Sequence, residues 1–570
     1  MGTTKKYWKG LEDLNNDPAF IKSAQSEFAE EIPMDKFLAN ESLDETSTPR
    51  RDFLKFLGFS VTAASLAACQ TPVNRVIPYV IKPEEITVGV SNWYATTYFD
   101  GRDFCNILVK TREGRPIKIE GNKLASISKG GTNSRVQASV LSLYDSERAN
   151  GPKEKGAPTT WEEADKKITS KLNEIATAGG NISLLTASII SPSTKQIIAD
   201  FTTKYKNVKH VSYDAISYSG MSKANEQSFG KAVVPVYHFE NADVIVSFAC
   251  DFLTNWVSPI EISRQYVSRR KVSNEKKEMS RHYQFESNLS LTGSNADERI
   301  GIKPSQLGAA LISLYNKVAG GNLAGKQLEF DAHITAAAKD LVAAKGKSLV
   351  VCGSNDPAHQ VLVNAINASL SNYGSTIDID TPNLVHQGND AEVATLAADM
   401  KAGKVGALIM YNVNPVYSLP AMLGFEEGLK KTGLTISFND RLDETASLCT
   451  YSLPDHHYLE SWGDAMPRNG FYSLIQPTIF PIFNTRSAQE SLMKWAEIPG
   501  DYQTYVKANW EKSVFPMQTS EILFENYWMK CLHDGGAEFA LTPAAAPAFA
   551  GDVNAAAAAT MQAASKTGSF

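Results

Sequence analysis

The chain has 570 residues, too many for one ordinary hydrophobic core, so about three or four domain-sized units are expected. Apolar residues make up 43% and charged residues 21%, an ordinary balance for a soluble globular protein. A formal charge of −6 on this length argues against a general nucleic-acid binder, and no run of about 18 apolar residues is present to cross a bilayer.

Residues 1–49 carry Tyr7-Trp8-Lys9-Gly10-Leu11 and Asn15-Asn16-Asp17-Pro18-Ala19-Phe20, whose aromatics can pack on a partner or chaperone. Arg50 and Arg51 then stand before Asp52, Phe53, Leu54 and Lys55. Two arginines followed by Phe-Leu-Lys form the address read by the twin-arginine route, which exports proteins already folded. The apolar stretch 56–68 is diluted by Gly58, Ser60, Thr62 and Ser65 and is too short for a span, so it reads as a signal h-region. It closes on Leu66-Ala67-Ala68-Cys69, the form of a lipobox. Cys69 is therefore expected to carry lipid and tether the protein, with help from partners, at the periplasmic face of the cytoplasmic membrane. Residues 1–68 are read as a long leader.

Residues 69–160 read as a small β-rich domain. Apolar runs at 104–110 and 116–121 flank Arg112-Glu113-Gly114-Arg115, a hairpin signal. Thr159-Thr160-Trp161-Glu162-Glu163 predicts a helix start, with Thr160 as N-cap and Glu163 completing a capping box. Beyond it the texture is α/β, with buried strands expected at 182–185, 244–249, 349–352, 407–411 and 435–438. Helices are expected at 390–401 and 421–431, closed by Gly403 and Gly433. This alternation predicts doubly wound α/β domains at 161–335 and 336–515. The charged stretch from Arg269-Arg270-Lys271 to Arg281-His282 reads as a solvated helix or loop. Residues 516–570 read as an extension ending in an Ala/Pro-rich linker, which suggests that the chain belongs to a longer polypeptide or assembly.

Six cysteines (Cys69, Cys105, Cys250, Cys352, Cys449 and Cys531) include no C-x-x-C, which excludes the ordinary local pattern for iron–sulfur clusters or structural zinc. Cys250 and Cys352 end apolar runs and are expected to be buried, unpaired thiols. Asp455-His456-His457 with Glu460 has the residue types of a metal site but reads as ordinary surface or interface. No Gly-x-Ser-x-Gly elbow, Gly-x-Gly-x-x-Gly turn or P-loop occurs. No catalytic residue is assigned.

Several segments in order resemble the molybdopterin oxidoreductase family. Residues 105–110 and 113–121 resemble the hairpin that follows its third cluster cysteine, and Gly130-Gly131-Thr132-Asn133-Ser134-Arg135 resembles the stretch carrying the fourth. Leu143-Tyr144-Asp145-Ser146-Glu147-Arg148, Asn412-Val413-Asn414-Pro415, Asn439-Asp440-Arg441-Leu442-Asp443-Glu444-Thr445-Ala446 and Leu453-Pro454 resemble later family segments. The resemblance implies a molybdopterin oxidoreductase-like α/β fold whose N-terminal domain is a degenerate iron–sulfur type. Cys105 is the one cysteine at a cluster position, and Asn133 stands at the fourth. Trp93, Tyr94, Tyr98 and Phe99 stand where two more would lie and are expected to fill the vacated core. One thiolate cannot hold a [4Fe–4S] cluster. No cysteine stands in the usual metal-ligand region, at Tyr213-Asp214-Ala215-Ile216-Ser217-Tyr218-Ser219-Gly220, where the family also uses serine or aspartate as the molybdenum ligand.

More narrowly, the chain resembles the large molybdopterin oxidoreductase-like (B) subunit of bacterial alternative complex III, a quinol-oxidising respiratory complex. That resemblance implies a cofactor-free structural subunit with no bound metal. It would support [4Fe–4S]/[3Fe–4S] carriers in a ferredoxin-like C-terminal extension or partner chain. Membrane quinol-oxidising subunits and cytochrome c subunits would be its other partners. The competing readings are a catalytic molybdopterin-dependent periplasmic oxidoreductase with unusual ligands, and a free-standing exported binding protein.

Overall fold

The computed structural model describes residues 89–541 and 547–565, all within one compact unit, Asn74–Phe570. Arg50, Arg51, Phe53, Leu54, Lys55 and Cys69 lie outside the described residues.

The N-terminal sheet is an antiparallel meander of Asn92–Phe99, Phe104–Arg112 and Arg115–Gly121. The expected hairpin is present. Its two-residue loop, Glu113 (φ 52°) and Gly114 (φ 73°), is left-handed at both positions, the twist that a tight hairpin needs. Ile107, Val109 and Ile119 are buried beneath Val136 and Val140 of the helix Ser134–Ser142.

Two parallel sheets build the α/β body, as the alternation predicts. In the larger, Val208–Ser212, Asn181–Thr186, Val405–Tyr411, Leu434–Ser437 and Tyr451–Ser452 run parallel. Short strands at Lys153–Glu154 and Ala157–Pro158 extend it antiparallel to seven. The smaller sheet orders Glu298–Gly301, Arg281–Glu286, Val244–Phe248 and Ser348–Cys352, all parallel. A five-stranded sheet includes Val234–Tyr237, Ile377–Asn383 and Gly463–Arg468.

The expected sequential division near 335 does not hold. Asn181–Thr186 pairs with Val405–Tyr411, while Ser348–Cys352 pairs with Val244–Phe248, so the smaller sheet is inserted into the larger one. Apolar runs report that a strand is buried but not which strand lies beside it.

Other expectations are corrected locally. The 421–431 helix is broken: Gly424 (φ 62°) separates a 3₁₀ turn at Ala421–Leu423 from the helix Phe425–Lys431. That helix ends at Thr432 in extended geometry, so Gly433 is not its left-handed cap, whereas Gly403 (φ 71°) closes Asp390–Lys401 as expected. Within the charged stretch, His282 is fully buried in the strand Arg281–Glu286, and Arg270 forms a bidentate pair with Asp297 at 2.8 Å. The expected linker holds a helix, Val553–Ser565, whose Ala556 and Ala557 pack into the core of the smaller sheet. Alanine is the strongest helix former, so a run of it folds wherever an apolar groove receives it. Among the described residues no helix is long and apolar enough to cross a membrane.

Candidate functional site

Four parallel strands of the seven-stranded sheet end on one cleft of about 900 Å³. Asn181–Thr186 leads to Ala187 and Ser188, Val405–Tyr411 to Asn412 and Asn414, Leu434–Ser437 to Phe438 and Asp440, and Tyr451–Ser452 to Asp455 and His456. The chain runs from Asn181–Thr186 to Val208–Ser212 on one side of it and later returns to Val405–Tyr411 on the other. The cleft therefore opens at the topological switch point, where doubly wound sheets take ligands. Tyr98 of the N-terminal sheet, Asp100 just after its first strand, and Arg135, Ser139 and Ser142 of the following helix supply another wall.

The lining is acidic. Asp100, Asp440, Asp443 and Asp455 face two arginines, and both arginines are engaged. Arg135 pairs with Asp103 at 2.9 Å, and Arg441 with Asp145 at 3.0 Å and Asp440 at 3.3 Å. Burial pushes Asp455 up to about 7 despite hydrogen bonds from the backbone N–H groups of His456 and Ala488, both at 2.9 Å. A carboxyl poised there exchanges a proton near neutral pH.

Behind that wall Arg148 and Glu460, both fully buried, form a bidentate pair at 2.6 and 3.1 Å. His457 shares a hydrogen bond with Ser142 Oγ at 2.9 Å. Burial, reinforced by the Arg148 charge, pushes His457 down to about 3, so its ring is neutral. Asp455, His456, His457 and Glu460 do not converge as ligands: among the described residues no group of three or more His, Cys, Asp or Glu is placed to hold a metal. His457 and Glu460 are buried rather than at the surface, and the charge partner Arg148 carries no signal in the local sequence.

Cys105 is fully buried, and its thiol donates to the Gly131 carbonyl at 3.2 Å. Asn133 caps the helix Ser134–Ser142, its side-chain oxygen accepting the Val136 N–H at 2.9 Å. The aromatics upstream divide. Tyr98 is buried edge-on to Tyr458 at 5.2 Å, but Trp93 is 49% exposed on the other face of its strand, under Lys110. Thr96 and Thr97, rather than a ring, complete the buried surface there. In the region 213–220, Asp214 accepts hydrogen bonds from Ser188 N–H (3.1 Å) and Oγ–H (2.8 Å), and from the Gln387 (3.1 Å) and Gly388 (2.8 Å) N–H groups. Asp464, which carries no motif in the sequence, is buried next to the cleft residue Gly463 and accepts the hydroxyl of the cleft residue Ser191. An acid between Trp462-Gly463 and Ala465-Met466 is the one available signal.

The chain is 23% identical over 506 residues to a protein of Nitratidesulfovibrio vulgaris named "Menaquinone reductase, molybdopterin-binding-like subunit", covering 78% of this chain and 71% of that one. Its fold is shared with acetylene hydratase from Pelobacter acetylenicus at a TM-score of 0.52 and 12% identity, over 69% of this chain and 68% of that one. Residues 152–492, more than half of the chain, match the family described as molybdopterin oxidoreductase, and the chain belongs to that family.

Proposed function

We propose that the chain is a structural and interaction subunit of a quinone-linked respiratory electron-transfer complex and is not itself catalytic. The name of the Nitratidesulfovibrio vulgaris relative supports a quinone-linked setting. The finer reading is the large subunit of an alternative complex III. In it, the chain is exported by the twin-arginine route and held at the periplasmic face, with Cys69 as a lipid tether. Iron–sulfur carriers of a ferredoxin-like part, membrane quinol-oxidising subunits and cytochrome c subunits are its partners in this reading.

The observation that carries the non-catalytic reading is the use of Cys105 and Asn133 as packing and capping residues at two cluster positions. The family implies a molybdopterin, and the donor set at the cleft does not fit that anionic group. Both lining arginines are engaged in ion pairs, and the remaining charges are carboxylates.

The test is made on the intact complex purified in mild detergent. Removal of this chain is expected to abolish quinol oxidation, while Asp455→Asn leaves the rate per assembled complex unchanged. Loss of turnover in an assembled Asp455→Asn complex would favour the second reading, an oxidoreductase using the 900 Å³ cleft.

A further inference from the structure

The helix Pro192–Lys204 starts beside the cleft, just after the switch-point strand Asn181–Thr186. Such a helix end concentrates unpaired N–H donors and partial positive charge, and in doubly wound folds it commonly holds a phosphate. Here its first-turn donors are already taken. Pro192 has no N–H, the Ser193 N–H reaches Asp464 Oδ1 at 3.3 Å, the Thr194 N–H reaches Ser191 Oγ at 2.9 Å, and the Lys195 N–H reaches the Ser191 carbonyl at 3.0 Å.

Asp464 comes from the strand Gly463–Arg468 of another sheet and is only 2% exposed. Besides the Ser193 N–H it accepts Ser193 Oγ–H at 2.6 Å, Trp510 Nε1–H at 3.1 Å and the Ser191 hydroxyl. These donors are all neutral. A carboxylate held by a helix N-terminus, two hydroxyls and an indole has the coordination of a bound oxyanion. Nearby, Asp214 gathers the Ser188 N–H and the Gln387 and Gly388 N–H groups in the same manner. Gly388 makes that approach possible, since a Cβ there would stand 2.8 Å from the Asp214 nitrogen.

We propose that Asp464 is a permanent internal ligand of the switch-point helix, occupying the position of a phosphate-type anion, and that Asp214 plays this part for the adjoining loop. The proposal deepens the cofactor-free reading: the fold keeps its anion-binding geometry and fills it from its own chain. Removing the Asp464 carboxylate should expose a site for an oxyanion of phosphate size.

The experiment compares the full chain with Asp464→Asn and Asp464→Gly in thermal melts, titrating inorganic phosphate against chloride at matched ionic strength. Asp464→Asn is expected to melt lower by about 3 °C or more, because one amide cannot accept what two carboxylate oxygens accept. Asp464→Gly is expected to melt lower still and to regain at least half its loss with millimolar phosphate, saturably. The unaltered chain should show no saturable shift. If Asp464→Gly folds only with phosphate present, its refolding yield gives the same answer. An Asp464→Asn chain as stable as the original would overturn the proposal. So would an Asp464→Gly chain indifferent to phosphate, or a saturable phosphate response in the unaltered chain. Metal content does not enter this measurement, so its failure is distinct from failure of the non-catalytic reading.

Discussion

The thiol of Cys105 donates to the carbonyl oxygen of Gly131 across 3.2 Å, tying the strand Phe104–Arg112 to the loop before the helix Ser134–Ser142. Burial pushes this thiol up to about 12, so it stays protonated at neutral pH and is a poor metal ligand or nucleophile. The other described cysteines (Cys250, Cys352, Cys449 and Cys531) are likewise buried and free, as expected for Cys250 and Cys352. Residue-resolved alkylation at pH 8 should leave all five unmodified in the folded protein and label them after unfolding. Rapid labelling of Cys105 in the native state would contradict this assignment.

Arg148 and Glu460 present the opposite case, a charge pair that the core cannot lose by halves. Arg148→Ala leaves the Glu460 carboxylate buried without its cation and removes a 3.0 Å hydrogen bond to the Leu143 carbonyl. The expected cost is about 3–5 kcal/mol, read from urea unfolding. Burial raises the Glu460 pKa, but the hydrogen bonds and charge of Arg148 outweigh it and hold the carboxyl below its ordinary value of 4.5. Its contribution is therefore present above about pH 4.5 and is lost as pH falls through the lower folded value. Glu460→Gln should be less stable at neutral pH and should lack that part of the acid-induced loss.

Asp455 predicts the reverse pH dependence. Its folded value near 7 lies above the ordinary 3.8, so the protonated form is favoured by folding. That stabilisation is complete below about pH 3.8 and disappears as pH rises through 7. Asp455→Asn should therefore be more stable than the parent at pH 8, by about 1–3 kcal/mol, with the difference shrinking toward pH 4. Equal unfolding midpoints for variant and parent at pH 8 would count against a raised Asp455 pKa.

The parts of the fold legible in the sequence are those set by local chemistry. Runs such as Val244–Phe248 and Val405–Tyr411 are buried on both faces and read as strands, and Asn389 and Thr160 cap the helices they precede. Even there Glu163 does not complete the expected capping box: its carboxylate accepts the Thr159 hydroxyl at 3.3 Å. Long-range choices were not legible. The pairing of Asn181–Thr186 with Val405–Tyr411 is separated by more than two hundred residues and leaves no periodic trace. Asp464 illustrates the same limit beside the cleft, since its four donors come from Ser191, Ser193 and Trp510, none of them near it in sequence. The alanine run 555–559 was misread because composition alone cannot distinguish a linker from a helix that has found a groove.

The proposed function has this family fold working without the family's cofactor, and metal content tests that directly. Molybdenum and tungsten are quantified by mass spectrometry on the purified intact complex, with released pterin measured by fluorescence on the same sample. The account predicts neither metal nor pterin at more than a few hundredths per chain. One molybdenum or tungsten with its pterin per chain would contradict it.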